Sequence, residues 1–208
     1  MDARMQCRSL AVRAMAVEFP EVEGHPNRLP FAGCLTLVDV ASDKAPSGAR
    51  GHRVVLTREA AEAALPSLLG MAVDYKAGWD GHDARQKCGI ITAARVEPKG
   101  EGQRLLVSGY LFARDFPEFG CHEKSGGVGK PGTLAAHAAI ADGDAMGMSY
   151  ELADAHVADM RSPVWRLTRA TFTGAAILLR EKAAYRGTSF RVRRGAKRPL
   201  ARVAAAHA

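Results

Sequence analysis

The chain has 208 residues, 47% of them hydrophobic and 25% charged, with a formal net charge of +7. That length suits one domain with a sizeable core, and the composition is ordinary for a soluble globular protein. A membrane-spanning helix is excluded, because the longest apolar stretch near the C-terminus, 174–179, is far shorter than the ~20 residues a span needs.

The charge excess is local. Arg186, Arg191, Arg193, Arg194, Lys197, Arg198 and Arg202 crowd the last stretch of the chain, which has no acid. Removing those seven from the 29 basic residues leaves 22, equal to the 22 acidic ones. A basic tail on a neutral body reads as an appendage for an acidic surface or nucleic acid, or as a solvated, flexible end. At the other terminus Arg8, Arg13 and Glu18 interrupt any apolar leader, so no signal peptide and a cytoplasmic location are expected. The four cysteines, Cys7, Cys34, Cys88 and Cys121, are scattered with no CxxC pair and are expected as free thiols. The nearest approach to a metal pair is Cys121-His122, and adjacent residues rarely share an ion, so no metal is expected.

In chain order, 1–28 reads as a lead-in strand and loop. The apolar, β-prone run 31–40 follows, then a Ser/Pro/Gly-rich loop at 42–51 and a short strand at 53–56. Thr57 opens a helix: its side chain can cap the first turn, Glu59 suits the positive end of the dipole, and the alanines at 60, 61, 63 and 64 favour helix. Pro66 ends or kinks it, and Gly70 closes the segment. Residues 71–75 lead into a polar loop at 76–85. The runs 89–96 and 105–112 form a hairpin around a turn containing Pro98, Gly100 and Gly102. A long glycine-rich loop spans 113–132, either a substrate lid or an inert insertion. A short helix capped by Thr133 covers 133–141. Strands are expected at 146–152, 165–173 and 175–179. No internal repeat is present. Many short strands with two or three helices point to a β-barrel or α+β fold rather than a βαβ sheet.

Three local features could carry chemistry. They are Gly81-His82-Asp83 in the polar loop, Gly147-Met148-Ser149 inside an apolar strand, and the run 169–185. Each alone has a plain explanation: a solvated loop histidine, a solvent-facing strand serine, a glycine marking a bulge or close packing. The serine segment is not the G-x-S-x-G elbow of α/β-hydrolases, since Glu151 occupies the last position.

The ordered set of elements over about 29–185 resembles the prohead (capsid maturation) proteases of tailed phages, a group whose fold is shared with herpesvirus assembly proteases. The match runs through the opening strand 31–40 and the helix 57–69. It continues through Gly70-Met71-Ala72-Val73-Asp74, His82 followed by Gly89-Ile90-Ile91, the hairpin partner 105–112, the Gly147-Met148-Ser149 strand, and the closing segment 165–178.

The resemblance implies an α+β, mainly β domain at 25–185, with a closed antiparallel β-barrel flanked by helices. A lead-in at 1–24 precedes it, and a flexible basic tail at 186–208 follows. It implies a serine endopeptidase in which Ser149 attacks the scissile carbonyl and His82 takes its proton. The third-member position falls on Thr171, where the family commonly has an acid. Thr171 can accept a hydrogen bond from the ring but cannot stabilise imidazolium by charge. A dyad, or an acid from elsewhere such as Asp83, Glu151 or Asp159, stays open. Arg166 or Arg169 is the arginine expected near the oxyanion.

The implied substrates are scaffold and major capsid protein, with self-cleavage, inside the procapsid in the host cytoplasm. No cofactor is needed, homo-oligomers are expected, no membrane is involved, and the basic tail can touch nucleic acid. Two alternatives accompany this reading. One is a catalytically inactive scaffold or assembly protein of the same fold, favoured by Thr171. The other is a small nucleic-acid-binding barrel with a basic arm.

Overall fold

The structure is a computed structural model that describes residues 14–16, 25, 27–100, 102–112 and 145–193. The loop expected at 113–132, the helix expected at 133–141, Cys7, Cys121 and the tail from 194 onward lie outside the described residues.

Nine strands and one α-helix are described. They are β1 (Ala14–Ala16), β2 (Leu29–Val38), β3 (Arg53–Leu56), α1 (Arg58–Ala64), β4 (Ala72–Tyr75), β5 (Lys87–Lys99), β6 (Gly102–Leu111), β7 (Met146–Val157), β8 (Val164–Leu179) and β9 (Ser189–Val192). Local signals place several of them. Thr57 caps α1, its hydroxyl accepting from Ala60 N at 3.3 Å. Pro66 turns the chain into a short 3-10 segment, Leu65–Leu68. Gly70 supplies the positive φ of 76° that releases the chain into β4.

The strands form one sheet in the order β3-β8-β4-β5-β6-β2-β9. The 16-residue β8 organises it. Along one edge β8 pairs antiparallel with β7; along the other it pairs in parallel with β3 and then β4, end to end. The parallel pairings follow from the connection: α1 carries the chain from β3 back to the start of β4, so both strands run the same way. The long hairpin of β5 and β6 continues the sheet, and β1 pairs with β5 beyond β4.

The closed antiparallel barrel is therefore corrected. The sheet is mixed and open: β7 and β9 pack near one another, but no ladder joins them. One helix, not several, flanks it among the described residues. Apolar, β-prone runs mark the strands in the sequence, but they do not encode partner direction or closure. The segments 165–173 and 175–179 are one continuous strand, with Thr173 the extra residue at a register shift opposite Glu151 and Leu152. β9 falls inside the segment read as a basic tail. It pairs with β2 and packs Phe190 on Phe31 at 5.6 Å, so the sheet runs past residue 185.

The main core lies on one face, built from residues such as Leu35, Leu56, Leu65, Leu68, Ile91, Leu105 and Leu111. α1 presents Ala60, Ala61 and Ala64 inward. These small side chains let it lie close on β8. Val73, Met148, Ala175 and Ile177 point into this core. Their neighbours Ala176 and Leu178 point the other way and form a separate small cluster with Ala183. That outer face of β4, β8 and β7 carries the candidate chemistry.

Candidate active site

The site begins with strand register. Ser149 on β7 pairs with Ala176 on β8, and Asp74 on β4 pairs with the same Ala176 from the opposite side. Residues paired across a ladder share a face, so Asp74, Ala176 and Ser149 form one row on the outer face of the sheet. Strands lie about 4.8 Å apart, which sets Asp74 and Ser149 roughly 10 Å apart at Cα. Only the Ala176 methyl occupies the sheet between them. A gap of that width accommodates an imidazole ring.

The loop between β4 and β5 delivers the ring. Gly78 at φ 93° and Trp79 at φ 58° turn the chain back, and Trp79 N donates to Lys76 O at 2.8 Å. Trp79 stacks on Tyr75 at 5.1 Å, and its carbonyl accepts from Leu179 N at 2.8 Å, which ties the loop to the end of β8. On the far side of His82, Asp83 closes a second turn. Its carboxylate accepts from Arg85 N at 3.0 Å and from Gln86 Nε2 at 3.1 Å, and Gln86 N donates to the Asp83 carbonyl at 2.9 Å. The hydrogen bonds from Arg85 hold the Asp83 carboxyl well below the usual carboxylate range.

His82 thus reaches the row. Its Nδ1 lies 3.5 Å from Asp74 Oδ1 and 3.9 Å from Glu151 Oε1. Its side chain is 17% exposed, and that of Asp74 only 1%. The second Asp74 oxygen, Oδ2, accepts from Lys87 Nζ at 3.4 Å. Both carboxylates face Nδ1, and Nε2 is buried. Among the described residues neither ring nitrogen has a partner within full hydrogen-bond geometry.

His82 and Ser149 line one open cleft of about 1030 Å3. Its walls continue over Val54, Leu152, Val157, Trp165 and Leu167. Two glycines make room around the serine strand. A Cβ on Gly147 would lie 2.7 Å from Thr188 Oγ1 and 3.1 Å from Arg180 Cα; one on Gly174 would lie 2.6 Å from Glu151 Oε2. Gly147 therefore seats β7 against the segment after β8, and Gly174 gives Glu151 its space. Among the described residues no three metal-ligating side chains converge.

The other candidates from the sequence lie elsewhere. Thr171 is exposed on β8 opposite Ala153, five residues from Ala176 and so roughly 16 Å along the strand. Arg169 and Arg166 are exposed and further still, and none of the three lines the cleft. Asp83 is engaged by Arg85 and Gln86, and Asp159 accepts from Arg161 N at 2.8 Å in the turn after β7. Glu151 alone among the alternative acids approaches His82. Asp74, the carboxylate nearest the His82 ring, was not among the acids weighed from the sequence. Its signal was a carboxylate inside the short apolar strand Ala-Val-Asp-Tyr, just ahead of the histidine loop.

No protein-family model matches the chain, and no curated protein matches it.

Proposed function

We propose that the chain is a serine endopeptidase of the prohead-maturation type, acting through Ser149, His82 and Asp74. The observation that carries this reading is the row Asp74, Ala176, Ser149, with His82 set against Asp74 and sharing a cleft with Ser149.

The chemistry follows from the placement. Serine is a weak nucleophile until a base takes its proton. His82 offers Nε2 for that step, while Asp74 at Nδ1 fixes the ring and balances the positive charge it acquires. The proton then passes from Nε2 to the leaving amine, and water repeats the sequence on the acyl-enzyme. Glu151, with its side chain 52% exposed, adds a second negative charge on the Nδ1 side. The cleft wall mixes apolar side chains such as Leu152 and Trp165 with charged ones such as Lys44, Arg50 and Lys182, a lining that suits an extended peptide segment. The mechanism requires no metal or organic cofactor.

The biological setting follows the resemblance. The substrates are the scaffold and the major capsid protein, with self-cleavage, in procapsids within the host cytoplasm. Homo-oligomers and a contact between the basic tail and nucleic acid belong to the same reading. No described helix is long and apolar enough to cross a membrane. The scaffold alternative drew on the missing charge at Thr171. Asp74 and Glu151 beside His82 supply carboxylates that the enzyme reading can use in place of Thr171.

The test is co-expression with the capsid protein followed by intact mass. Wild type should yield discrete capsid and self-cleavage fragments that are absent with Ser149→Ala. Identical unprocessed masses with both would overturn the proposal.

A further inference from the structure

We infer that Lys87 is a positioning residue of this site, brought onto Asp74 by a β-bulge at Cys88. The inference rests on the protease reading above for its consequence, and on the β4–β5 ladder for its geometry.

The ladder runs Ala72 to Ile90 and Val73 to Gly89, then jumps to pair Asp74 with Lys87. Continued without the shift, it would set Asp74 opposite Cys88 and send Lys87 toward the core face beside Tyr75. The extra residue reverses both. Cys88 turns into the main core, fully buried, with its Sγ donating to Val73 O at 3.4 Å. Lys87 moves to the outer face and puts Nζ 3.4 Å from Asp74 Oδ2. Bulges of this kind re-aim one side chain, and they recur beside active sites.

The placement has a chemical consequence. Lys87 shares the negative charge of Asp74, so the carboxylate favours imidazolium at His82 less strongly than it would alone, and more of the ring is available as a base. Three ionisable groups bear on this point: Lys87 from β5 and His82 from the loop touch Asp74, and Glu151 from β7 faces the far side of the same ring. Only Lys87 is a permanent cation near neutral pH. It occupies Oδ2 and leaves Oδ1 for His82. The Lys87 side chain is 38% exposed, so its removal opens no core cavity.

The experiment measures the rate at which a fluorophosphonate probe labels Ser149, by intact mass across pH. It uses the full chain as wild type, Lys87→Met and Lys87→Arg. Lys87→Met should label about tenfold more slowly at neutral pH, with the half-maximal pH moved upward because Asp74 alone then favours imidazolium. Lys87→Arg should restore both, and thermal midpoints should stay within a few degrees. A Lys87→Met protein with the wild-type rate and pH profile would overturn the inference. The His82 Cε1–H resonance, followed by NMR against pH, gives a readout independent of labelling. Its midpoint should rise in Lys87→Met and return in Lys87→Arg. Wild type that does not label, with that NMR shift present, would sink the protease reading and keep the Lys87–Asp74–His82 coupling. No NMR shift would sink the coupling itself.

Discussion

Ser149 and Asp74 face the same residue, Ala176, from opposite edges of β8. That shared partner fixes the spacing of a serine and a carboxylate far apart in sequence, and it leaves between them only a methyl group.

The first consequence concerns the acid. Asp74→Asn keeps the shape of the side chain but removes the charge at His82 Nδ1. It should lower probe labelling and peptide cleavage by roughly 10^3- to 10^4-fold, as loss of the orienting carboxylate does in serine triads. Thr171→Val, on the exposed part of β8, should leave both rates within about twofold, since it removes no group near the reacting atoms. Equal losses in the two variants would refute the assignment.

The second concerns the gap. Ala176 is fully buried beneath the site. Ala176→Leu should fill the space next to the ring, cost about 1–3 kcal/mol in stability, and abolish labelling of Ser149. Ala176→Gly should cost about 0.5–1 kcal/mol through backbone entropy and retain labelling. Chemical denaturation and intact mass report the two effects separately.

The third concerns the loop that aims His82. Asp83 organises the turn at Arg85 and Gln86 but does not touch the ring. Asp83→Ala should slow labelling about tenfold by letting the ring wander, with little change in thermal midpoint. Its carboxyl is held well below the usual range, so the folded turn keeps its charge, and the stability it lends, down through about pH 4 and loses both only in stronger acid. Activity between pH 5 and 9 should therefore not report on Asp83.

The fourth concerns alkaline stability. Cys34 is buried in β2, with its Sγ donating to Thr36 O at 3.4 Å. Burial pushes its thiol from 9.0 up to about 11, against the lowering pull of Arg104 and Lys99. Between those values the unfolded chain releases a proton that the folded chain keeps. Stability should fall through that window, by about 2–3 kcal/mol at its end. Cys34→Ala should flatten that part of the curve in urea titrations run at each pH. Coincident slopes for the two proteins would contradict it.

The parts of this structure legible in the sequence are those encoded locally. Thr57 and Pro66 bound the helix because capping and a missing N–H act within one turn. The hairpin of β5 and β6 follows from two β-prone runs and a turn at Gly100. What escaped is set by distant partners. The parallel ladders of β8, the open edges and the pairing of β9 with β2 depend on register, not on any short pattern. The site divides the same way. His82 and Ser149 stood out through the order of elements in a resemblance. Asp74 and Lys87 become visible only through the β4–β8 register, which puts Asp74 in the row beside His82, and the register shift at Cys88, which puts Lys87 on Asp74. Thr171 is the third-member position that the resemblance implies, and the structure places it on β8 opposite Ala153, away from the row at Ala176.

The most direct test of the account is site-mapped labelling by a fluorophosphonate probe of wild type, Ser149→Ala and His82→Ala. The account predicts one added phosphonyl group on wild type, located at Ser149, and none on either variant. Labelling that is equal in wild type and Ser149→Ala, or a wild type that stays unmodified while folded, would contradict it.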